Sequence, residues 1–404
     1  MRNLAVAISN ILLCCASSAQ VADLGFQAPR HQHMTAVKTE NGDSTRTPIQ
    51  VQTNWPQFRF EDDHSGFNPN EHVLNTSTVG GLSVAWSFTT AGAAIDSSPA
   101  VVDGVLYFGD QLGVIYALNA STGNLLWKFA GQEGSAASSP VVAGGIVYFG
   151  AQDDRLHAVD AQTGALLWSF HTANTVYSSP TVASGVVFVG SADHYLYAIN
   201  ASTGKLLWRR ATTGEIDSSP AIANWTVYVG SDDGNLYAIN SSTGASFWKF
   251  ASGSSVDSSP AVVNGVVYFG TNDGSVYALD AKSGTLIWKS TTTNNPVSSS
   301  PAVFDGMVYV GSMDDSVYAL DAATGRMTWR YVTGYGVYSS PVVAGGVVYV
   351  GSEDDRVYAL DAKTGALLWS YATLSSINSS AAVVNGTLYI GSSDGNLYAF
   401  REGK

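Results

Sequence analysis

Residues 218–257 read SSPAIANWTVYVGSDDGNLYAINSSTGASFWKFASGSSVD, and this block of about forty residues is repeated along the 404-residue chain. Its Ser-Ser-Pro signature recurs every 40 or 41 residues, at Ser97, Ser138, Ser178, Ser218, Ser258, Ser299 and Ser339. An eighth copy begins at Ser379, with Ala381 in place of the proline. A period of this length, made of short apolar runs between Gly, Asp and Asn turns, predicts a β-propeller or a solenoid.

Each copy predicts a four-stranded antiparallel meander. In the copy quoted above, the apolar runs lie at 220–223, 226–230, 236–239 and 246–250. Apolar residues often occupy consecutive positions in these runs, which is typical of strands covered on both faces. One tryptophan stands at the same place in every fourth strand, and we expect it to pack between neighbouring blades: Trp86, Trp127, Trp168, Trp208, Trp248, Trp288, Trp329 and Trp369.

The two ends of the array favour a closed ring. The eighth copy ends after its third strand, at 397–400, whereas residues 82–88 form a fourth strand with no three strands before it. An open solenoid needs polar capping units, and the repeats show none. We therefore predict an all-β, eight-bladed propeller over residues 82–404. Pairing of the N-terminal strand into the last blade closes it and removes exposed sheet edges.

The first residues, 1–19, are typical of a secretory signal peptide, with Arg2, an apolar stretch and a small-residue cleavage site. Both cysteines, Cys14 and Cys15, lie inside it, so the mature chain is expected to have no disulfide. Leu13 before Cys14 argues against a lipid anchor. We predict a secreted or periplasmic protein with a polar, disordered leader at 20–53 and no transmembrane segment.

Composition narrows the class of partner. The formal net charge is −13, so the chain is repelled by nucleic acid and by anionic membranes. Cations or basic partners fit this charge better, although much of the acidity sits in repeated turn aspartates.

Within the repeats, residues 278–288 read Ala-Leu-Asp-Ala-Lys-Ser-Gly-Thr-Leu-Ile-Trp, and six other copies are close to this pattern. It resembles the docking motif of the pyrroloquinoline quinone (PQQ) repeat, or quinoprotein-like, β-propeller family, over about residues 82–400. Residues 55–59, Trp-Pro-Gln-Phe-Arg, and 64–66, His-Ser-Gly, look like the lead-in that precedes such propellers. The resemblance implies that a lead-in at 54–81 packs on the ring.

The resemblance leaves the activity open, because the family contains PQQ-dependent alcohol and sugar dehydrogenases, outer-membrane assembly lipoproteins and exported proteins of no known activity. For a dehydrogenase, the resemblance implies that PQQ and Ca²⁺ bind on the propeller axis, and in many members the PQQ is held against a vicinal disulfide. This chain departs from that pattern, since its ring has no cysteine and its repeats have no insertions to enclose a cofactor.

Positions that differ between repeats are the candidates for a shared central site. The residue before each Ser-Ser pair varies most: Asp96, Ala137, Tyr177, Asp217, Asp257, Ser298, Tyr338 and Asn378. Among these, Asp96, Asp217 and Asp257, together with Glu215 two residues before Asp217, are the predicted metal ligands at the mouth of the channel. A hydrated acidic funnel without a ligand is the alternative. Tyr177 and Tyr338, four blades apart, either stack a planar ligand or line the channel.

Arg155 and Arg356 occupy equivalent places in blades two and seven and are candidates for gripping an anion or carboxylate, with solvent-facing turn residues as the alternative. The turn aspartates between second and third strands fit ordinary turn capping better than a calcium loop. We predict a monomeric binding scaffold for a protein, polymer or small ligand on a propeller face or in the channel. A PQQ-dependent dehydrogenase and an envelope assembly scaffold are the alternatives, and the sequence predicts no catalytic residues.

Overall fold

The computed structural model describes residues 53–130, 138–291 and 295–403. In this part of the chain the strands form eight sheets, which confirms the predicted eight-bladed all-β propeller. The predicted signal peptide at 1–19 and the predicted leader up to residue 52 lie outside the described residues. No helix in the described ranges has the length and apolar character of a membrane span.

Each blade contains four strands, which run in chain order from the axis to the outer edge except in blade 8, where the outer strand comes from the N-terminal side, and β1 (Phe67–Asn68) adds a fifth strand to the sheet of blade 7. The inner strands are β3 (Ala100–Val102), β7 (Val141–Ala143), β11 (Thr181–Ala183), β15 (Ala221–Ala223), β19 (Ala261–Val263), β23 (Ala302–Phe304), β27 (Val342–Ala344) and β31 (Ala382–Val384). The second strands are β4 (Val105–Gly109), β8 (Ile146–Ala151), β12 (Val186–Gly190), β16 (Thr226–Ser231), β20 (Val266–Gly270), β24 (Met307–Ser312), β28 (Val347–Ser352) and β32 (Thr387–Gly391).

The third strands are β5 (Val114–Asn119), β9 (Arg155–Asp160), β13 (Tyr195–Asn200), β17 (Asn235–Asn240), β21 (Ser275–Asp280), β25 (Ser316–Asp321), β29 (Arg356–Asp361) and β33 (Asn396–Glu402). The outer strands are β6 (Leu125–Ala130), β10 (Leu166–His171), β14 (Leu206–Ala211), β18 (Ser246–Ala251), β22 (Leu286–Thr291), β26 (Met327–Val332), β30 (Leu367–Ala372) and β2 (Leu82–Thr89). A short strand, β1 (Phe67–Asn68), and a 3-10 turn at Val79–Gly81 precede the first blade.

The ring closes as predicted. Strand β2 pairs antiparallel with β33, so that Leu82 lies opposite Glu402 and Thr89 opposite Asn396. The inner strands of all neighbouring blades contact one another, including β31 of blade 8 and β3 of blade 1. The last blade is therefore completed by a strand from the N-terminal side, which joins the two ends of the array.

The tryptophans of the outer strands pack between blades, as expected from their spacing. Trp288 of blade 5 is 7% exposed and donates its indole N–H to the carbonyl of Ala322 in blade 6, at 2.9 Å. Gly325 of the same turn has a φ of +71°, and a Cβ there would lie 2.6 Å from the Trp288 ring. Glycine is required at this turn both by its backbone conformation and by the indole packed against it.

The Ser-Ser-Pro signature forms a circle of hydrogen bonds around the axis. The backbone N–H of each second serine donates to the Oγ of the second serine in the next blade, at 2.9 to 3.1 Å. The members of this serine ring, all buried, are Ser98, Ser139, Ser179, Ser219, Ser259, Ser300, Ser340 and Ser380. The circle closes between Ser380 and Ser98, so it links every blade to its neighbour by the same contact.

Removing one hydroxyl from the serine ring is expected to destabilise the protein. Ser219→Ala leaves the buried N–H of Ser179 without its acceptor, and an unpaired buried amide costs about 1–3 kcal/mol. Chemical denaturation measures this loss, with Ser242→Ala, in an exposed turn, as the matched control. Equal stability of the two variants would show that the ring of bonds does not contribute.

The propeller has two distinct faces. The connections that lead into the inner strands bond to the turns between second and third strands, as in the bond from the Asp232 N–H to the Glu215 carbonyl at 3.0 Å. We call this side the mouth face. The turns between inner and second strands, such as Asn224–Trp225, lie on the opposite side, because an inner strand separates them from the connections.

Candidate functional site

The lead-in segment lies in the central channel rather than beside the ring. Residues 53–71, here called the plug, reach the inner strand of every blade. Their contacts are Trp55 with Val101, Pro56 with Val142, His64 with Thr181, Asp62 with Ile222, Asp63 with Val262, Ser65 with Val303, Gly66 with Val343 and Asn68 with Val383. Glu71 anchors the end of the plug by accepting the N–H of Gly386 at 2.9 Å. The channel is thus filled at the level of the inner strands.

Two buried basic side chains hold the plug. Arg59 is 2% exposed and donates to the carbonyls of Pro301 and Pro341 in blades 6 and 7. His64 is 1% exposed, and its Nε2 lies 3.1 Å from the Thr181 hydroxyl. Burial lowers the pKa of His64 to about 3, with Arg59 adding to the effect, so His64 is neutral at ordinary pH.

Thr181 is a polar residue at a repeat position that is otherwise apolar, and it contacts the plug. It is the first residue of its inner strand, and the seven sister copies have alanine or valine there: Ala100, Val141, Ala221, Ala261, Ala302, Val342 and Ala382. Its hydroxyl donates to the Pro220 carbonyl at 2.6 Å and meets His64. A break in the repeat pattern therefore marks where the ring is adapted to the plug.

The mouth face carries an acidic cluster at the axis. Carboxylate oxygens of Glu215, Asp217 and Asp232 lie within 4.8 Å of one another. Burial, followed by the charges of Glu215 and Asp257, raises the pKa of Asp217 to about 6. Burial and the carboxyls of Asp257, Asp217 and Glu215 raise the pKa of Asp232 to about 7. The structure therefore places two of the four predicted metal ligands, Glu215 and Asp217, in one group with Asp232, and Asp257 lies near enough to raise the pKa of both aspartates.

The sequence does not single out Asp232 as a ligand, because the residue beside it has a structural role. Asp233 caps its turn, accepting hydrogen bonds from the Tyr237 hydroxyl at 2.6 Å and the Asn235 N–H at 3.0 Å. Although burial acts in the opposite direction, these bonds lower the pKa of Asp233 to about 2. Comparison between repeats separates the two residues, because the position of Asp232 varies among copies: Gln111, Gln152, Ala192, Asp232, Asn272, Met313, Glu353 and Ser393.

Asp96, the fourth predicted ligand, is placed apart from the cluster. It precedes blade 1, four blades away from Asp257, which precedes blade 5. Its carboxylate accepts hydrogen bonds from Gln111 and, at 3.1 Å, from Ser393. Asp96 is thus satisfied by its own neighbours. Asp257 likewise accepts a hydrogen bond from the Asn272 side-chain amide, at 2.7 Å, and Asp217 and Asp257 each have one further buried carboxylate oxygen with no hydrogen-bond partner in the described structure.

The two predicted tyrosines border the same opening. Tyr177 is 42% and Tyr338 is 49% exposed, and they precede blades 3 and 7. Burial and the charges of Asp257, Asp217 and Glu353 raise the pKa of Tyr338, so this ring lies within electrostatic range of the acidic cluster. Arg155 and Arg356 begin the third strands of blades 2 and 7, which are not neighbours. The structure does not bring these arginines together.

Comparison with known proteins identifies the family. A family model described as "Outer membrane protein assembly factor BamB" matches residues 80–181, 157–296 and 272–404, most of the chain. This chain belongs to that family of PQQ-repeat β-propellers. Among solved structures, BamB from Moraxella catarrhalis superposes with a TM-score of 0.69 at 22% identity, over 79% of this chain and 97% of that one.

Members of the PQQ-repeat family with enzymatic names are also similar. Quinohemoprotein alcohol dehydrogenase from Comamonas testosteroni superposes with a TM-score of 0.74 at 19% identity, over 87% of this chain and 81% of that one. The curated protein of the same name and organism is 28% identical over 112 residues, which is 28% of this chain and 15% of the relative. At these identities the solved structures show a shared fold, and the matched stretch is a small part of the curated relative.

The acidic cluster suits a cation and not the quinone for which the PQQ-repeat family is named. PQQ carries three carboxylates, and the charged groups that raise the pKa values of Asp217 and Asp232 are all carboxylates too. Within the described residues, Glu215, Asp217 and Asp232 offer the hard oxygen ligands that Ca²⁺ prefers. The described mouth therefore fits a divalent or organic cation, and without such a cation it presents only like charge to the carboxylates of PQQ.

Proposed function

We propose that this protein is an exported binding propeller that receives a cationic group of a ligand or partner at the acidic mouth. The observation that carries the proposal is the convergence of the Glu215, Asp217 and Asp232 carboxylates within 4.8 Å, beside Asp257, whose charge adds to that of Glu215 in raising the pKa of Asp217. A charged group that is desolvated and surrounded by like charge is stabilised when a cation arrives. Export rests on the signal peptide predicted at 1–19.

The distribution of repeated and variable positions supports a binding site on the mouth face. The tryptophans, the serine ring and the turn aspartates recur in nearly every blade and hold the scaffold together. The positions of Glu215, Asp217 and Asp232 differ between blades, and all three belong to the mouth face. The plug fills the channel below them, so a ligand on the axis has access from the mouth face.

Removing the cluster charges is expected to abolish cation binding. Asp217→Asn combined with Asp257→Asn keeps the side-chain shapes and removes two of the converging charges. Calorimetric titration with CaCl₂ and with lysine methyl ester should lose its binding signal in this variant. Asp361→Asn is the control, because it removes one charge in an exposed turn where sister repeats already have Asn119, Asn200 and Asn240. Binding that persists unchanged in the double variant would refute the proposal.

The same cluster predicts a pH dependence of stability. The pKa of Asp217 is raised from 3.8 to about 6, so its charge is unfavourable in the folded state. This penalty is absent below pH 4 and complete above about pH 6. Asp217→Asn should therefore raise the free energy of unfolding at pH 8 by about 1–2 kcal/mol, a figure reduced for partial solvent exposure, and leave it unchanged at pH 4. Denaturation at the two pH values measures the difference.

A PQQ-dependent dehydrogenase is the second candidate, supported by the likeness to the Comamonas testosteroni enzyme. Quinone absorbance that survives desalting after incubation with PQQ and Ca²⁺, together with dye reduction by alcohols or sugars, would favour it. An envelope assembly scaffold is the third candidate, supported by the BamB family match. That role needs a protein partner, which the cation-binding mouth is able to receive through a lysine or arginine side chain.

A further inference from the structure

The mouth face carries a second unusual feature, a group of exposed apolar side chains on blades 7 and 8. Tyr335 is 66% exposed, and Leu374, at 84%, is the most exposed large apolar side chain in the described chain. Both lie on the connections that lead into inner strands, Tyr335 before β27 and Leu374 before β31. Together with Tyr338 we call them the apolar crescent.

The crescent is a departure from the repeat and not part of the scaffold. At the position of Leu374 five sister connections carry small residues: Ala91, Ala173, Thr213, Gly253 and Gly334. At the position of Tyr335 five sister connections carry small or polar residues: Gly92, Asn174, Gly214, Ser254 and Ser375. Since the other blades fold without large apolar groups at these places, folding does not require them here. Exposed apolar clusters of this kind mark interaction sites.

The crescent and the acidic cluster lie on different blades of the same face. The cluster belongs to blades 4 and 5, and the crescent to blades 7 and 8. Tyr338 is the member of the crescent nearest the axis, since it occupies the same repeat position as Asp217 and Asp257, and their charges act on its hydroxyl. A tyrosine beside a cation site adds a favourable ring face for an ammonium or guanidinium group.

We propose that the mouth face docks a protein segment that places a lysine or arginine in the acidic cluster and an adjoining aromatic or aliphatic side chain on the apolar crescent. This inference rests on the proposed cation-binding function and names its partner. Charge complementarity favours such a segment, because the protein carries a formal charge of −13 and the cluster is the acidic centre of this face. A bare metal ion satisfies only the cluster and leaves Tyr335 and Leu374 exposed.

The test uses a fluorescent, end-capped peptide with the core lysine-tryptophan-leucine and the full mature protein. We expect saturable binding with a dissociation constant on the order of 10–100 μM. Replacing the lysine of the peptide by glutamine, or its tryptophan and leucine by serine, should weaken binding at least tenfold. In the protein, Tyr335→Ser with Leu374→Ser should weaken it by a similar factor, while calorimetric binding of Ca²⁺ or lysine methyl ester stays unchanged.

The matched control is Leu126→Ser with Leu167→Ser, which removes two exposed leucines from outer strands and should leave peptide affinity unaltered. Absence of peptide binding by the unmodified protein at millimolar concentration overturns the inference. So does equal affinity of the unmodified protein and the Tyr335→Ser, Leu374→Ser variant. If that variant binds normally while Asp217→Asn with Asp257→Asn abolishes binding, the cation site stands and the apolar crescent is excluded. Peptide binding that persists unchanged in both double variants would refute both the cation site and the apolar crescent.

Discussion

Between pH 7 and pH 4 the free energy of unfolding is expected to fall by about 3 kcal/mol through His64 alone. The pKa of His64 is lowered from 6.5 to about 3 in the folded protein, because the ring is buried in the plug beside Arg59. The unfolded chain takes up this proton near pH 6.5 and the folded chain does not. Stability due to the neutral ring is therefore complete above pH 6.5 and is lost as the pH falls toward 3.

His64→Asn isolates this effect. Asparagine does not titrate, it offers a polar group to Thr181, and it tolerates the positive φ of 56° observed at this position. The difference in unfolding free energy between the variant and the unmodified protein, measured from pH 7 to pH 4, should change by about 3 kcal/mol in favour of the variant. Subtracting one curve from the other removes the contribution of the carboxylates that titrate in the same range, including Asp217 and Asp232. A difference that stays constant with pH would show that the folded protein does not lower the pKa of His64.

Loss of one inter-blade tryptophan is expected to have an effect of similar size. Trp288→Ala removes a side chain that is 7% exposed, leaves a cavity against Gly325, and deprives the Ala322 carbonyl of its indole donor. Truncation of a buried tryptophan costs about 3–5 kcal/mol, a large share of the stability of an ordinary domain. Denaturant unfolding followed by circular dichroism measures the shift.

The neighbouring Ile287 provides the control for Trp288. It belongs to the same outer strand and is 47% exposed, so Ile287→Ala should change the free energy of unfolding by less than about 1 kcal/mol. If both variants unfold at the same denaturant concentration, the tryptophans do not hold the blades together as the structure indicates.

The repeat allows most of the fold to be predicted from the sequence, whereas the position of the plug cannot be predicted in this way. Strand positions, the tryptophan contacts and the pairing of residues 82–89 with the last blade follow from spacing, because each is repeated or is missing from one copy. The plug has no repeat of its own, and it binds the inner strands through backbone groups such as the Asp62 and Ser65 carbonyls. Backbone bonds leave no side-chain pattern, so the sequence predicted only that this segment packs on the ring.

Part of the acidic site can be predicted from the sequence, because its residues also depart from the repeat. Variation between blades at the positions of Glu215, Asp217 and Asp257 identifies the mouth of the channel. Asp232 stands beside the turn aspartate Asp233, and the sequence assigns both the same capping role. Asp96 shared the sequence position of Asp217 but not its surroundings, because the ring sets it beside Gln111 and Ser393. Position within a repeat indicates the radius and face of a residue, and the blade number decides its neighbours.

The plug has a consequence for how the chain is made. Asn68 bonds to Val383, 315 residues later, and the Leu82 carbonyl accepts the indole N–H of Trp369, 287 residues later. A ribosome or a secretion channel delivers the early partner long before the late one exists, and such distant contacts form slowly. Trp55 finds its partner Val101 as soon as blade 1 exists, whereas Asn68 and Leu82 lack the contacts named above until blades 7 and 8 have been made. Because blade 8 supplies both Val383 and the strand that pairs with residues 82–89, the ring cannot close until this blade has been synthesised.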